Sequence, residues 1–353
     1  MLSIILIAIV AAILYAYSIL RYHDLWKRGK VPVWVYGLIH ILSLGISVVA
    51  FLQVAGLVSD AFLLICSAYT ALYSAIMMLT PVFCFLRGLV RFLGKKCKWS
   101  GKVYRFFNHP TKLILWFLLI SAVFGAYGFI HERYITETEY VVTVAEKKEE
   151  KEMSVVFLSD LRIGSCMTQS ELSDVVEIIK EIKPDLVLFG GNTIGRHSTK
   201  QSLQDTIEKL KAISAPNGVY LTEGPEDAQI LEQSAEQLEQ AGLHVLQDQC
   251  VFLNNGVQLV GCRADCKGRK PLSYILGLVN PEKPSVIFSY DGIEDDTLQK
   301  KKVDVVLSRG IGSQYGWNKN GTINFLGTAG IHSDLLPGKY IAPSEIVKLQ
   351  FRF

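Results

Sequence analysis

Five stretches of this chain each end an apolar run on residues able to do chemistry. SVVFLSDLRIGS (154–165) carries Asp160 and Arg162, DLVLFGGNT (185–193) carries Asn192, and GVYLTEGPED (218–227) carries Glu226 and Asp227. SVIFSYDG (285–292) adds Tyr290 and Asp291, and VDVVLSRGIGSQ (303–314) adds Arg309. Carboxylate and amide oxygens can hold a hard divalent cation, whereas guanidinium groups grip phosphate oxygens two at a time. In open α/β sheets, groups just past the carboxyl ends of strands share one crevice. Five such ends predict a single polar rim.

The elements that must carry this rim are legible around it. Val155–Leu158 reads as a buried central strand. Thr168 with Glu171 three residues on forms a capping-box pattern, and Leu172, Val175, Val176 and Ile179 make the buried stripe of the helix that follows. Pro184 helps to stop it. Further helices are expected at about 202–213 and 228–241, the latter ended by Gly242. An edge strand over Thr138–Ala145 and a solvated charge run over Glu146–Glu152 come before the central strand, and later strands begin near Ser285, Val303, Thr322 and Glu345. This alternation of strand and helix is α/β texture.

Asn255-Gly256 predicts a hairpin with a two-residue turn. That turn sets Cys250 opposite Gly261 and leaves Cys262 close by. A bridge from Cys250 to Cys262 or to Cys266 is one reading in an oxidising compartment, and reduced, buried thiols are the other. The seven cysteines make no metal-binding pattern; Cys66 and Cys84 fall in apolar runs and Cys97 in a basic loop.

Residues 1–131 have a different texture. Leu2–Leu20, Val33–Val58, Ala61–Leu86 and Lys112–Ile130 each reach the length of about 20 apolar residues that crosses a bilayer. The first lacks a basic leader and so reads as a retained anchor, not a cleaved signal. Arg21, Lys27, Arg28 and Lys30 follow it, and Arg87, Arg91, Lys95, Lys96, Lys98, Lys102, Arg105 and Lys112 lie between the third and fourth runs without an acid among them. The positive-inside rule puts both loops in the cytoplasm. The Ser59-Asp60 turn and everything after Ile130 are then outside. The expected location is the cell membrane, multi-pass, with an extracytoplasmic C-terminal domain. His40 is the ionisable group well inside a span, read either as a proton or ligand path or as a histidine hydrogen-bonded within the bundle. A formal net charge of +3 is too small to argue for nucleic acid, and the basic residues cluster where membrane topology would put them.

In order and spacing the five strand ends resemble the calcineurin-like metallophosphoesterase superfamily, in its bacterial branch with N-terminal membrane spans. The likeness covers roughly residues 138–353 and includes PDLVLFGGN, GVYLTEGPED and LGTAGIHSDLLPGKYIAPSEIV. It implies an α/β chain: a four-helix transmembrane region over 1–131, then a metallophosphoesterase-like β-sandwich of mixed sheets flanked by helices over 132–353. In that superfamily two metals are held by Asp-x-His, Gly-Asp, Gly-Asn-His-Asp, a lone His after a strand, and Gly-His-x-His; the ions activate a bridging water and clamp phosphoryl oxygens.

Here the frame is kept and the ligands are replaced. Asp160 stands at the first Asp, but Arg162 takes the place of the next His. Gly-Asp reads Gly191-Asn192, which removes the bridging carboxylate. Gly-Asn-His-Asp reads Gly224-Pro225-Glu226-Asp227, the lone His is Tyr290, and Gly-His-x-His reads Arg309-Gly310-Ile311-Gly312. His197, His244 and His332 match no motif position. A neutral amide cannot neutralise two cations, and an arginine cannot lose its proton to admit one.

The resemblance therefore implies a pseudoenzyme without a cofactor. Arg162, Arg309 and Tyr290 are its phosphate-binding candidates, and Asp160, Asn192 and Asp227 its vestigial metal positions. Its expected partners are membrane lipids and either a phosphate-containing ligand or a protein. The alternative is an active phosphoesterase working on an envelope or lipid phosphoester. It would hold a single magnesium, manganese or calcium ion on oxygen ligands from Asp160, Asn192, Glu226, Asp227 and Asp291, with Glu226 as general acid.

Overall fold

A computed structural model describes residues 60–96, 109–144, 151–196, 198–264, 268–293, 298, 303–310, 315–333 and 339–353. The first two expected spans, His40, Cys97, His197, Cys266 and the Ile311-Gly312 pair lie outside these residues. The chain divides into two compact units; the larger comprises 55–64, 131–334 and 339–353.

Helix α1 (Asp60–Lys96) contains the third expected span and continues past Leu86 to Lys96, so the basic run begins as helix and not as loop. Helix α2 (Pro110–Arg133) contains the fourth. A methyl group at Gly125 would lie 2.8 Å from the Leu72 Cα, so the two helices touch backbone to backbone, as small residues allow between apolar helices. Within α2, Leu115–Arg133 is long and apolar enough to cross a membrane.

The larger unit is a sandwich of two six-stranded sheets. The first consists of β1 (Ile135–Thr143), β2 (Glu152–Leu158), β3 (Leu186–Gly190), β4 (Val219–Thr222), β5 (Leu243–Val245) and β12 (Ser344–Arg352), in the order β1-β12-β2-β3-β4-β5. The second consists of β6 (Gln249–Phe252), β7 (Gln258–Cys262), β8 (Ser285–Ser289), β9 (Val305–Arg309), β10 (Gly316–Asn320) and β11 (Ile323–Thr328), in the order β10-β11-β9-β8-β7-β6. Both sheets are mixed: β2 to β5 and β7 to β9 run parallel, while β12 runs against β2 and β10 against β11. The expected α/β class with two mixed sheets flanked by helices is thus what forms.

Side-chain alternation builds the layers. Met153, Val155 and Phe157 of β2 face the second sheet, together with Leu188, Val286, Phe288, Leu307 and Val347. Val156 and Leu158 face the other way, against α3 (Gln169–Ile182), α4 (Lys200–Leu210) and α5 (Ala228–Gln240). The outer face of the second sheet is closed by α6 (Leu272–Gly277) with Val260, Ile287 and Val306. The period-two pattern thus satisfies both faces of one strand.

The capping box forms as read: Glu171 N–H donates to the Thr168 hydroxyl, and the Glu171 carboxylate accepts from Thr168 N–H at 2.8 Å. The hairpin is corrected. Leu253 and Val257 close a three-residue loop with Gly256 at φ 92°, because the left-handed glycine adds one residue to the turn. Cys250 therefore pairs with Val260, not with Gly261. Cys250 and Cys262 are both free thiols packed on one apolar cluster, so the bridge between them is not formed. Strands β5 and β10 escaped the sequence reading; β10 is exposed and polar and β5 only three residues long.

Candidate functional site

The rim forms at the carboxyl ends of β2, β3 and β4 in one sheet and β8 and β9 in the other. Beyond their strands the first two loops stay paired: Asp160 N–H donates to Gly191 O at 3.1 Å, and Arg162 N–H to Asn192 O at 2.9 Å. Asp160, Arg162 and Asn192 hold φ of 55°, 51° and 52°, a left-handed backbone that side chains other than glycine seldom adopt. Such strain persists where the surroundings over-determine it, and it gathers at functional sites. Gly191 (φ 92°) brings the loops together: a methyl group there would meet Gly224 N at 2.9 Å and Tyr290 Cβ at 3.0 Å.

Asp160 is fully buried at the centre. Its Oδ1 accepts from Asn192 Nδ2 at 2.9 Å and from Arg162 Nη2 at 3.3 Å, and its Oδ2 lies 2.5 Å from Arg309 Nε. Arg162 also reaches Ser333 O at 3.1 Å and Glu226 Oε1 at 3.6 Å, the latter at the more open rim. Burial pulls the Arg162 pKa down, but Asp160 and Glu226 outweigh it and hold the guanidinium above its ordinary value. Arg309 stands 5.6 Å over the Tyr290 ring, a cation–π distance. Burial, then the Asp160 charge, pushes the Tyr290 phenol well up, so it stays protonated.

The two partners of Asn192 fix its amide. The nitrogen donates to Asp160 and the oxygen accepts from Glu226 N–H at 2.9 Å. Asp227 is fully buried and spends both oxygens on backbone, accepting Gly224 N–H at 2.7 Å and Thr193 N–H at 2.6 Å. It ties the β3 and β4 loops together instead of facing the rim.

A divalent ion does not fit this donor set. Asp160 is matched by two guanidinium groups, Asn192 turns a hydrogen-bearing nitrogen toward it, and both Asp227 oxygens are taken. Among the described residues no three His, Cys, Asp or Glu side chains gather as a metal site. Asp291 contributes its backbone oxygen to the Ser289 hydroxyl. His244 pairs with Glu239 at the surface, 2.7 Å away, and His332 is buried with its ring beside Glu132.

Lys339 was missed by sequence reading. Its buried ammonium donates to Ala329 O, Gly330 O and Pro343 O, holding the last loop against the rim. Burial pushes its pKa down to about 8, against the opposing pull of Asp160, Glu132 and Glu345. Gly330 (φ 70°) lets this loop approach the rim closely: a methyl group there would sit 3.0 Å from Asp160 Oδ2.

Asp227 makes stability depend on pH. Burial pushes its carboxyl up to about 7, against the backbone N–H groups that favour the charge. The folded pKa then lies above the ordinary value of 3.8, so the folded chain binds more proton than the unfolded chain between those values. Its contribution should be largest below about pH 4 and fade as pH rises toward 7. Urea midpoints between pH 4.5 and 7.5 should show this slope, and Asp227→Asn should flatten it.

No family model matches the chain. It is 24% identical over 247 residues to an uncharacterized metallophosphoesterase of Aquifex aeolicus, covering 65% of this chain and 90% of that protein. It is 26% identical over 176 residues to an uncharacterized metallophosphoesterase of Helicobacter pylori, covering 46% and 45%. A Danio rerio transmembrane protein with a metallophosphoesterase domain is 27% identical over 112 residues, covering 31% and 25%. The chain thus spans less than half the length of the last two. A solved protein of Thermus thermophilus superposes at a TM-score of 0.41 with 12% identity, over 51% of this chain and 91% of that one. Several metallophosphoesterase relatives at low identity support the calcineurin-like superfamily.

Proposed function

We propose that the chain is a membrane-anchored, extracytoplasmic metallophosphoesterase homologue whose hydrolytic chemistry is silent and whose pocket recognises a phosphate-bearing ligand. One observation carries this reading. The carboxylate at the first metal position, Asp160, is met by the Arg162 and Arg309 guanidinium groups and the Asn192 amide. These fixed cations supply the positive charge that a pair of ions would bring, but they hold no water to activate. Glu226 then has no attack to assist and serves as the exchangeable partner of Arg162. An incoming phosphate would take its place on the guanidinium.

Anchoring is supported by α2, whose Trp116, Leu119, Ile120, Val123, Tyr127 and Ile130 are all exposed. Four spans with the domain outside follow from hydropathy and from the basic loops. The phosphate ligand is preferred to a protein partner because the buried Arg162 and the nearly buried Arg309 converge on one carboxylate at the rim.

The full chain, purified in mild detergent, should release no nitrophenol from bis(4-nitrophenyl) phosphate above buffer, with or without added manganese or zinc. Turnover that Asp160→Ala abolishes would establish the active phosphoesterase instead. Glu226→Gln removes one anionic partner of Arg162 and should tighten binding of inorganic phosphate about threefold to tenfold, read by calorimetry. Unchanged phosphate binding in that variant would remove the ligand half of the proposal.

A further inference from the structure

The connections of β12 place the rim around Asp160 at one particular edge of the larger unit. β12 runs against β2 with Val347 opposite Phe157, so continuing the register brings Ser344 level with Asp160. β1 runs parallel to β12 from Ile135 opposite Ser344, so both strands begin at the end where β2 delivers Asp160. The residues entering β1 are tied into the same loop. His131 Nδ1 lies 2.9 Å from Lys339 O, Glu132 accepts Ser333 N–H at 2.9 Å, and the Ser344 hydroxyl reaches Ile331 O and Glu132 O. Ser333 O in turn accepts from Arg162, and His332 N–H donates to Asp160 O at 3.0 Å. From Asp160 to His131 and Glu132, which lead into β1, there is therefore a continuous run of short contacts within the larger unit.

Two large side chains at this edge are turned to solvent. Ile341 is 95% exposed, three residues before β12, and Tyr134 is 70% exposed, between α2 and β1. An isoleucine so exposed forgoes the stabilisation that burial of its side chain would give. Tyr134 directly follows Leu115–Arg133, the stretch apolar enough to span a bilayer. Tyrosine is enriched at this level, where its ring meets acyl chain and its hydroxyl meets water.

We infer that the pocket edge of this unit rests on the bilayer surface, with Tyr134 and Ile341 seated in the boundary between headgroups and acyl chains. The occupant of this apolar edge is lipid, and the pocket opens at the level of lipid phosphates. The inference rests on the membrane anchoring proposed above and adds which face of the domain meets the membrane.

Photo-crosslinking in the full chain tests it. Benzoylphenylalanine would be introduced singly at the positions of Tyr134, Ile341, Val123 and Glu208, and the proteins reconstituted into phosphatidylcholine–phosphatidylglycerol vesicles and irradiated. Val123 lies within α2, and Glu208 is exposed on α4. Lipid adducts by mass spectrometry at 134 and 341 should come within about threefold of those at 123 and exceed those at 208 about tenfold. Adducts at 123 but as few at 134 and 341 as at 208 would overturn the inference while leaving the anchor intact. No adducts at 123 would overturn the anchoring, and the inference with it.

Discussion

Asp160→Ala should destabilise the folded chain by about 3–5 kcal/mol, the range found when one partner of a buried ion pair is removed. The reason is the company this carboxylate keeps. Arg162 and Arg309 are nearly buried, and without Asp160 they crowd two positive charges into a space with little water. Asn192 also loses the acceptor for its amide. Asp160→Asn should cost less, because it keeps an oxygen for hydrogen bonding while removing the charge. Urea midpoints of the chain in detergent, followed by tryptophan fluorescence, separate the two variants. Nearly equal midpoints for wild type and Asp160→Ala would show that the charges are not coupled as described.

The second large effect lies in the sandwich interior. Phe157 is fully buried between the sheets, and its ring comes within 2.6 Å of where a methyl group on Gly190 would sit. Phe157→Ala should cost about 3–5 kcal/mol, through lost apolar burial and the cavity left behind. Gly190→Ala should be destabilising from the opposite cause, since the ring cannot move without displacing Leu188 and Phe288 in the same layer. Thermal transitions of the two variants test this; tolerance of both would mean that the layer is looser than its contacts indicate.

Much of the frame was legible because local chemistry decides it. The alternation in β2, the Thr168–Glu171 box and the apolar stripe of α3 are properties of a few neighbouring residues, and each formed where the spacing put it. The rim was legible for a related reason: each strand end is announced by its own polar cluster, and Asp160, Arg162, Asn192, Glu226, Tyr290 and Arg309 do converge. What each residue does there was less legible. Asp227 reads from sequence as an oxygen donor toward a ligand, yet the backbone N–H groups of nearby Gly224 and of distant Thr193 claim it. Lys339 was invisible because its partners are carbonyl oxygens that any sequence supplies. The hairpin register shifted by one because Gly256 permits either a two- or a three-residue loop, and the strand packing chose between them.

The placement of β12 between β1 and β2 was likewise beyond local reading. It lines the chain's entry into the domain up with the pocket carboxylate. A strand from the far end of the sequence thereby links the segment after α2 to the loops that hold Arg162.

If guanidinium groups stand where a metal pair would bind, manganese has nowhere to lodge, and a titration followed by electron paramagnetic resonance checks this. Added to the full chain in detergent at equal concentration, manganese should keep the six-line signal of the free aqua ion, in wild type and Asp160→Ala alike. Loss of that signal at about two ions per chain in wild type, and its return in Asp160→Ala, would instead show a metal pair held at Asp160.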